Sequence, residues 1–211
     1  MSTPRAAALL VATDNAGKLR EIRALLGDLP LALRSLRDFP GVALPPEGDD
    51  YAENALAKAR SAAEQTGLPA LADDSGLEVE GLGGAPGPRS ARYGGEGLDD
   101  AGRIRHLLRE MRALTGDARR ARFVCVAALA LPAGGAWSAR GECPGRILES
   151  PRGDGGFGYD PVFWSSELRA GIAEVPEARK HEISHRGRAI RRLRPLLEEQ
   201  LLGGAPLTTS R

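Results

Sequence analysis

Ala6-Ala7-Ala8-Leu9-Leu10-Val11-Ala12 runs straight into Thr13-Asp14-Asn15-Ala16-Gly17-Lys18, and this junction decides the architecture. The apolar run is far shorter than the roughly 20 residues a membrane helix needs. It ends at once in turn-forming residues, so it reads as a buried β-strand entering a loop. From Gly17 to Leu26, the residues Leu19, Ile22, Leu25 and Leu26 recur on one helical face. Strand, tight loop and helix in that order open an α/β domain. Arg5 ahead of the apolar run faintly imitates a secretory signal, but the polar turn follows too soon.

Reading outward, Leu31 to Leu36 is expected to be a second strand, and Asp50 to Thr66 a strong helix with Gly67 stopping it. The short apolar segments Leu71-Ala72 and Leu77 to Val79 bracket an acidic corner, Asp73-Asp74-Ser75-Gly76. A Gly/Pro-rich loop from Gly81 to Gly97 precedes a helix carrying Ile104, Leu107, Leu108 and Met111. Ala121 to Leu131 and Ala136 to Ile147, joined by Pro132-Ala133-Gly134-Gly135, read as two long antiparallel strands. Arg186 to Leu202 is a basic helix that Pro195 should kink or split. The expected whole is one α/β unit over residues 1–211, with a mixed sheet.

The bulk composition excludes several classes. A net charge of +1 argues against a general nucleic-acid or membrane-surface binder. Two cysteines without C-x-x-C spacing are too few for a disulfide framework, and Cys125 lies in a strand pattern as a buried thiol. A reduced, cytoplasmic setting is expected. One oddity stands inside these bland totals: of 29 basic residues, only Lys18, Lys58 and Lys180 are lysine. Asparagine is equally scarce, at Asn15 and Asn54 alone. GC-rich coding would produce such a pattern, so positions that remain Lys or Asn need a local reason.

Four stretches carry chemistry. Thr13 to Lys18 offers the unpaired N–H groups of a helix N-terminus to phosphate, and Lys18 in that first turn opposes the helix dipole unless an anion sits nearby. Asp73-Asp74 repel each other unless a cation or a proton-accepting role offsets the cost, and hard oxygen ligands suit Mg²⁺. A solvated Asp-Ser-Gly turn is the plain alternative. Gly153 to Pro161 sets Phe157 and Tyr159 among glycines, where either ring could stack a nucleobase or simply anchor a surface loop. Lys180 and Ser184-His185-Arg186-Gly187 bring cations to the start of the last helix, whose Arg188, Arg191, Arg192 and Arg194 read as a solvated face.

Taken in order, these stretches resemble the non-canonical purine nucleoside triphosphate pyrophosphatases, the inosine triphosphate pyrophosphatase family. The resemblance is carried by Ala12 to Lys18, Glu53-Asn54-Ala55 with Lys58-Ala59, Ala72 to Leu77, Gly83 to Gly87 with Ser90 to Tyr93, Gly155 to Pro161, and Ser184 to Gly187. It implies an elongated mixed β-sheet flanked by helices, in two lobes with a central active-site cleft, and a homodimer. It also implies Mg²⁺-dependent hydrolysis of ITP, dITP and XTP to the monophosphate and pyrophosphate. By position, Thr13, Asp14, Asn15, Ala16, Gly17 and Lys18 would hold the triphosphate. Asp74 would be general base and metal ligand, with Ser75 on the substrate. Phe157, Gly158, Tyr159, Asp160, Lys180, His185 and Arg186 would line the nucleoside pocket.

The chain departs from the family pattern before its second helix. Pro45-Pro46-Glu47-Gly48-Asp49-Asp50-Tyr51 is one residue shorter than usual. Glu47 is the natural second metal ligand, and Asp49 or Asp50 could substitute. Asp14 adds an acid to the first loop. On the residues alone, a non-catalytic nucleotide sensor and a pyrophosphatase for modified pyrimidines stay open as rivals.

Overall fold

The computed structural model describes residues 6–203, so Arg5 and the extreme ends of the expected 1–211 unit lie outside the described residues. The chain opens with strand β1 (Ala7–Val11), helix α1 (Ala16–Leu26) and strand β2 (Leu31–Ser35). Helix α2 (Tyr51–Thr66) then leads into strand β3 (Ala70–Val79) and the short β4 (Pro86–Gly87). Helix α3 (Asp100–Glu110), the long strands β5 (Arg120–Ala130) and β6 (Ala136–Ile147), and the short β7 (Phe163–Ser165) and β8 (Ala170–Gly171) follow. Helices α4 (Glu177–Ile183) and α5 (His185–Leu202) complete the described fold.

All eight strands form one mixed sheet in the order β2-β1-β3-β5-β6-β7-β8, with β4 paired to β3. β1 runs parallel to β2 and β3, whereas β3, β5, β6, β7 and β8 are successively antiparallel. The parallel end needs crossover helices, which α1 and α2 supply.

Local chemistry explains the helix ends. Asn15 caps α1 by accepting from the Lys18 N–H at 3.0 Å. Asp50 caps α2 through the Ala52 and Glu53 amides, and Gly67 ends it in the left-handed conformation at φ +65°. The buried face of α2 is alanine-rich (Ala55, Ala59, Ala62, Ala63), so its backbone lies close to the sheet.

Alternation along the strands sorts the core. Leu10, Ala72, Val124, Val126 and Ala128 pack under α2, while Leu9, Leu71, Cys125, Ala127 and Leu129 pack under α1 and α5 on the opposite face. Farther along β3 and β5, Leu77, Val79 and Phe123 join a third cluster with Ile104 and Leu107 of α3 and Met111 just after it. On the α5 side of β3 the sequence thus reads apolar at Leu71, polar at Asp73 and Ser75, and apolar again at Leu77. That polar gap separates two apolar clusters on one face of the sheet.

Two expectations are corrected. The acidic corner is no corner: β3 continues unbroken through Asp73-Asp74-Ser75-Gly76, pairing with Ala127 to Val124 of β5. The extended backbone persists because the neighbouring strand satisfies the amides and buried cations meet both carboxylates. Pro195 does not split α5, which runs from His185 to Leu202 with Pro195 inside it. The proline removes one backbone donor, but buried Leu193 and Leu197 hold both sides to the sheet.

Candidate active site

Strand alternation sends the two adjacent aspartates to opposite faces, and this separates their chemistry. Asp73, 2% exposed, points toward α5. Its Oδ2 accepts from Arg186 Nη2 at 2.9 Å and Nε at 3.2 Å, and lies 3.2 Å from Lys18 Nζ. Burial works to raise its pKa, yet Lys18 and Arg186 hold it far below the ordinary carboxylate range. Asp73 is therefore the anion that makes Lys18 tolerable in the first turn of α1.

Asp74 faces α2 instead. Its Oδ2 accepts from Asn54 Nδ2 at 2.9 Å and its Oδ1 from Lys58 Nζ at 3.0 Å. Burial raises its pKa above the ordinary value against the pull of Lys58 and Asn54, and Glu47 adds to the rise. The expected influence of Asp73 on Asp74 gives way to that of Glu47, because the two aspartates lie on different sides of the sheet.

Lys58 also donates to Glu47, which Arg92 approaches at 3.6 Å from the other side. One ammonium thus draws Glu47 and Asp74 together. Of the other candidate ligands, Asp50 caps α2 through its Oδ1 and Asp49 pairs with exposed Arg89. Glu47 is the upstream carboxylate that the fold brings to Asp74. No group of three or more His, Cys, Asp or Glu able to hold a metal occurs among the described residues. Two carboxylates suit Mg²⁺ all the same, since that ion keeps several waters and takes further oxygens from phosphates.

On the α5 face, acids and bases alternate in a buried chain. Asp160 meets Lys180 at 2.5 Å, and Lys180 meets Glu21 at 2.6 Å. Glu21 meets Arg186 at 2.5 Å, and Arg186 continues to Asp73 and to the Ser75 hydroxyl at 2.9 Å. Burial opposes ionisation of Glu21, but Arg186 and Lys180 lower it to about 2. Burial raises Asp160 despite Lys180. His185 stacks on Phe123 with ring centroids 4.8 Å apart. Burial, then Arg186, pushes it well below its ordinary pKa, so the ring is neutral, and its Nδ1 has no partner.

Glu21 escapes the sequence reading, being one acid in a helix otherwise judged by its leucines. The available signal was spacing: Glu21 follows Lys18 by three residues and so shares its helical face. Asp100 was missed too, although its Oδ2 accepts from the Gly158 amide at 2.7 Å and pins the glycine loop.

Within that loop the two aromatic rings part company. Tyr159 is buried, and its hydroxyl donates to the Ser90 carbonyl at 3.0 Å, so it is an anchor. Phe157 lies over Gly17, where an added Cβ would come within 2.6 Å of the ring, which requires glycine there. Lys180 and Arg186 approach the same ring at 5.0 and 5.7 Å. The cavity beneath it is only about 100 Å³ and is lined by Ser75, Phe123, Phe157, Lys180, His185 and Arg186, among others. Thr13 Oγ accepts from the Asn15 amide, while Asp14 and Ala16 are exposed at the mouth, so the extra acid faces solvent. A larger groove, about 730 Å³, lies on the sheet face near Glu78, Arg122 and Glu142 and holds none of these residues.

A model of the Ham1 family matches residues 9–196. The chain belongs to the Ham1 family. It is 52% identical over 183 residues to a dITP/XTP pyrophosphatase of Geobacter sulfurreducens, covering 86% of this chain and 92% of that one. It is 48% identical to a dITP/XTP pyrophosphatase of Thermus thermophilus, covering 96% of each. A solved structure of a HAM1 protein from Coxiella burnetii superposes with a TM-score of 0.81 at 41% identity, over 92% of this chain and 99% of that one.

Proposed function

We propose that this Ham1-family protein is a nucleoside triphosphate pyrophosphatase that hydrolyses dITP, XTP and ITP to the monophosphate and pyrophosphate. The relatives named dITP/XTP pyrophosphatase support the substrate class. The observation that carries the chemistry is the divergence of two adjacent carboxylates, Asp73 held ionised in ion pairs and Asp74 raised and held by Lys58 and Asn54. Environments that push paired acids apart assign the proton acceptor to the raised one.

In this reading Asp74 accepts the proton of the attacking water, oriented by Asn54 and Lys58. Thr13 to Lys18 hold the triphosphate on the N-terminus of α1, and Lys18 faces it from the same turn. Glu47 and Asp74 hold Mg²⁺, which supplies charge neutralisation for the phosphates when bound. Phe157 leaves its seat over Gly17 to admit and then cover the purine, since about 100 Å³ is too little for a nucleoside.

Base selection follows from donor counting. Four of the five N–H groups of Arg186 go to Asp73, Glu21 and Ser75, and two of the three of Lys180 go to Asp160 and Glu21. The spare donors suit a 6-keto oxygen, whereas the amino group of adenine would face them unpaired at a cost of roughly 1–3 kcal/mol.

The same reading includes a homodimer, as the family resemblance implies, and a cytoplasmic setting. Free, buried Cys125 and Cys143 are consistent with that setting, and no described helix is long and apolar enough to cross a membrane.

The test is pyrophosphate release from dITP, XTP, ITP, GTP and ATP with and without Mg²⁺. Mg²⁺-dependent turnover of the first three well ahead of ATP is expected. Equal efficiency on ATP and ITP would defeat the selectivity scheme, and tight ITP binding without product would make the protein a sensor.

A further inference from the structure

Beside Glu47, on the side away from Lys58, lies a groove of about 390 Å³ lined by Glu47, Asp49, Arg89, Arg92 and Tyr93, among others. None of the residues assigned above to the triphosphate or the purine belongs to it, and Glu47 is the one residue it shares with the proposed metal site. Its two arginines differ in freedom. Arg89 is engaged bidentately, donating to both oxygens of Asp49 at 3.0 and 3.2 Å. Arg92 instead makes one loose ion pair with Glu47 Oε2 at 3.6 Å and one long hydrogen bond to the Glu47 carbonyl at 3.3 Å. Its side chain is 45% exposed.

We propose, on the basis of the pyrophosphatase reading above, that Arg92 is a leaving-group residue that binds the departing pyrophosphate in this groove. During hydrolysis a water oxygen bonds to the α-phosphorus and its proton passes to Asp74. The bond from that phosphorus to the bridging oxygen breaks, and its electron pair leaves with the pyrophosphate. Negative charge therefore builds on the β,γ side, where Lys18 alone among the site cations is not deeply buried between acids. A second, exchangeable cation is needed there, and Arg92 is loosely held beside a metal-binding carboxylate. A guanidinium also matches phosphate oxygens bidentately, which an ammonium cannot do.

The groove's openness has a consequence for product order. Pyrophosphate held by Arg92 can leave to solvent past Asp49 and Tyr93, whereas the nucleoside monophosphate stays under Phe157 until that ring moves. Arg92 thus acts on the phosphate product and not on the base.

The experiment measures product inhibition of ITP hydrolysis in wild type, Arg92→Gln and Arg92→Lys, with inorganic pyrophosphate and IMP as probes and Mg²⁺ in excess of both. Loss of one charge-assisted contact predicts that pyrophosphate inhibits Arg92→Gln about tenfold more weakly, with IMP inhibition changed less than about twofold. Arg92→Lys should fall between the two, and it decides the matter if the Gln variant is unstable. Unchanged pyrophosphate inhibition, or equal weakening for both probes, would overturn the proposal. So would a shift confined to the Mg²⁺ concentration for half-maximal rate, which would mean that Arg92 only steadies Glu47. Absence of pyrophosphate release by the wild type would instead sink the functional reading itself.

Discussion

Arg119 and Arg186 are the two buried arginines among the described residues, and the protein uses them in opposite ways. Arg119, just before β5, donates only to carbonyls: Ile147 at 2.9 Å, Leu148 at 2.6 Å, Met111 at 3.3 Å and Leu114 at 3.2 Å. It ties the end of β6 to the turn after α3, and burial pulls its pKa below the ordinary arginine value. Arg186 donates to Asp73, Glu21 and Ser75, and there the acids raise its pKa against the effect of burial. Carbonyls satisfy donors without adding charge, so the Arg119 cradle has nothing to exchange with a ligand. The Arg186 cluster holds more ions than a stable core needs, and its ions share partners, which under the proposed function lets a phosphate or a keto oxygen enter by rearranging them. Buried charge is costly in either case; only the second arrangement places that cost where chemistry can use it.

The sharpest way to break this contrast is to remove charge from each region in turn. Asp74→Asn leaves the Arg186 cluster intact but removes, across β3 from it, the proposed proton acceptor held by Asn54 and Lys58. Turnover should fall about 10²–10⁴-fold with the melting temperature little changed, and near-normal turnover would end the assignment. Arg119→Met should do the reverse. The buried carbonyls of Ile147 and Met111 lose their donor at roughly 1–3 kcal/mol each, so unfolding free energy should drop by about 2–6 kcal/mol while kcat of the folded enzyme holds. Denaturant titration beside initial rates separates the two, and a kcat loss as large as the stability loss would show the cradle to be coupled to the site.

The smallest expected effect concerns pH. Glu21 titrates near 2 in the folded chain against an ordinary 4.5, a depressed acid. Its contribution to stability is present above pH 4.5 and is lost as pH falls toward 2. The stability gap between wild type and Glu21→Gln should therefore be full at neutral pH and shrink through that window. A gap constant from pH 7 to pH 3 would mean that Glu21 contributes packing rather than charge.

Legibility followed the range of the forces involved. The helices from Gly17 and from Asp50, and the paired strands around Pro132 to Gly135, were readable because apolar periodicity, a glycine stop and a Gly/Pro turn are local signals. The scarcity of lysine and asparagine proved equally informative. Lys18, Lys58 and Lys180 each meet a buried acid, Asn54 holds Asp74, and Asn15 caps α1. Asp73-Asp74 was misread as a turn because two charges in the middle of a strand look unstable until their partners are known. Those partners lie 15 or more positions away: Lys58 for Asp74, and Lys18 and Arg186 for Asp73.

By itself, then, the sequence determined that the protein is α/β, where its main helices and long strands run, and which ordered motifs mark the Ham1 family. Tertiary structure alone decided which cations each aspartate meets, which aromatic ring covers the cavity, and that Glu21 joins Lys180 to Arg186. The reason is that period and capping act within a few residues, whereas the charge state of a buried group depends on everything packed around it. For Asp73 and Asp74 that difference is the width of one strand, and the pleat of β3 sends one to each side.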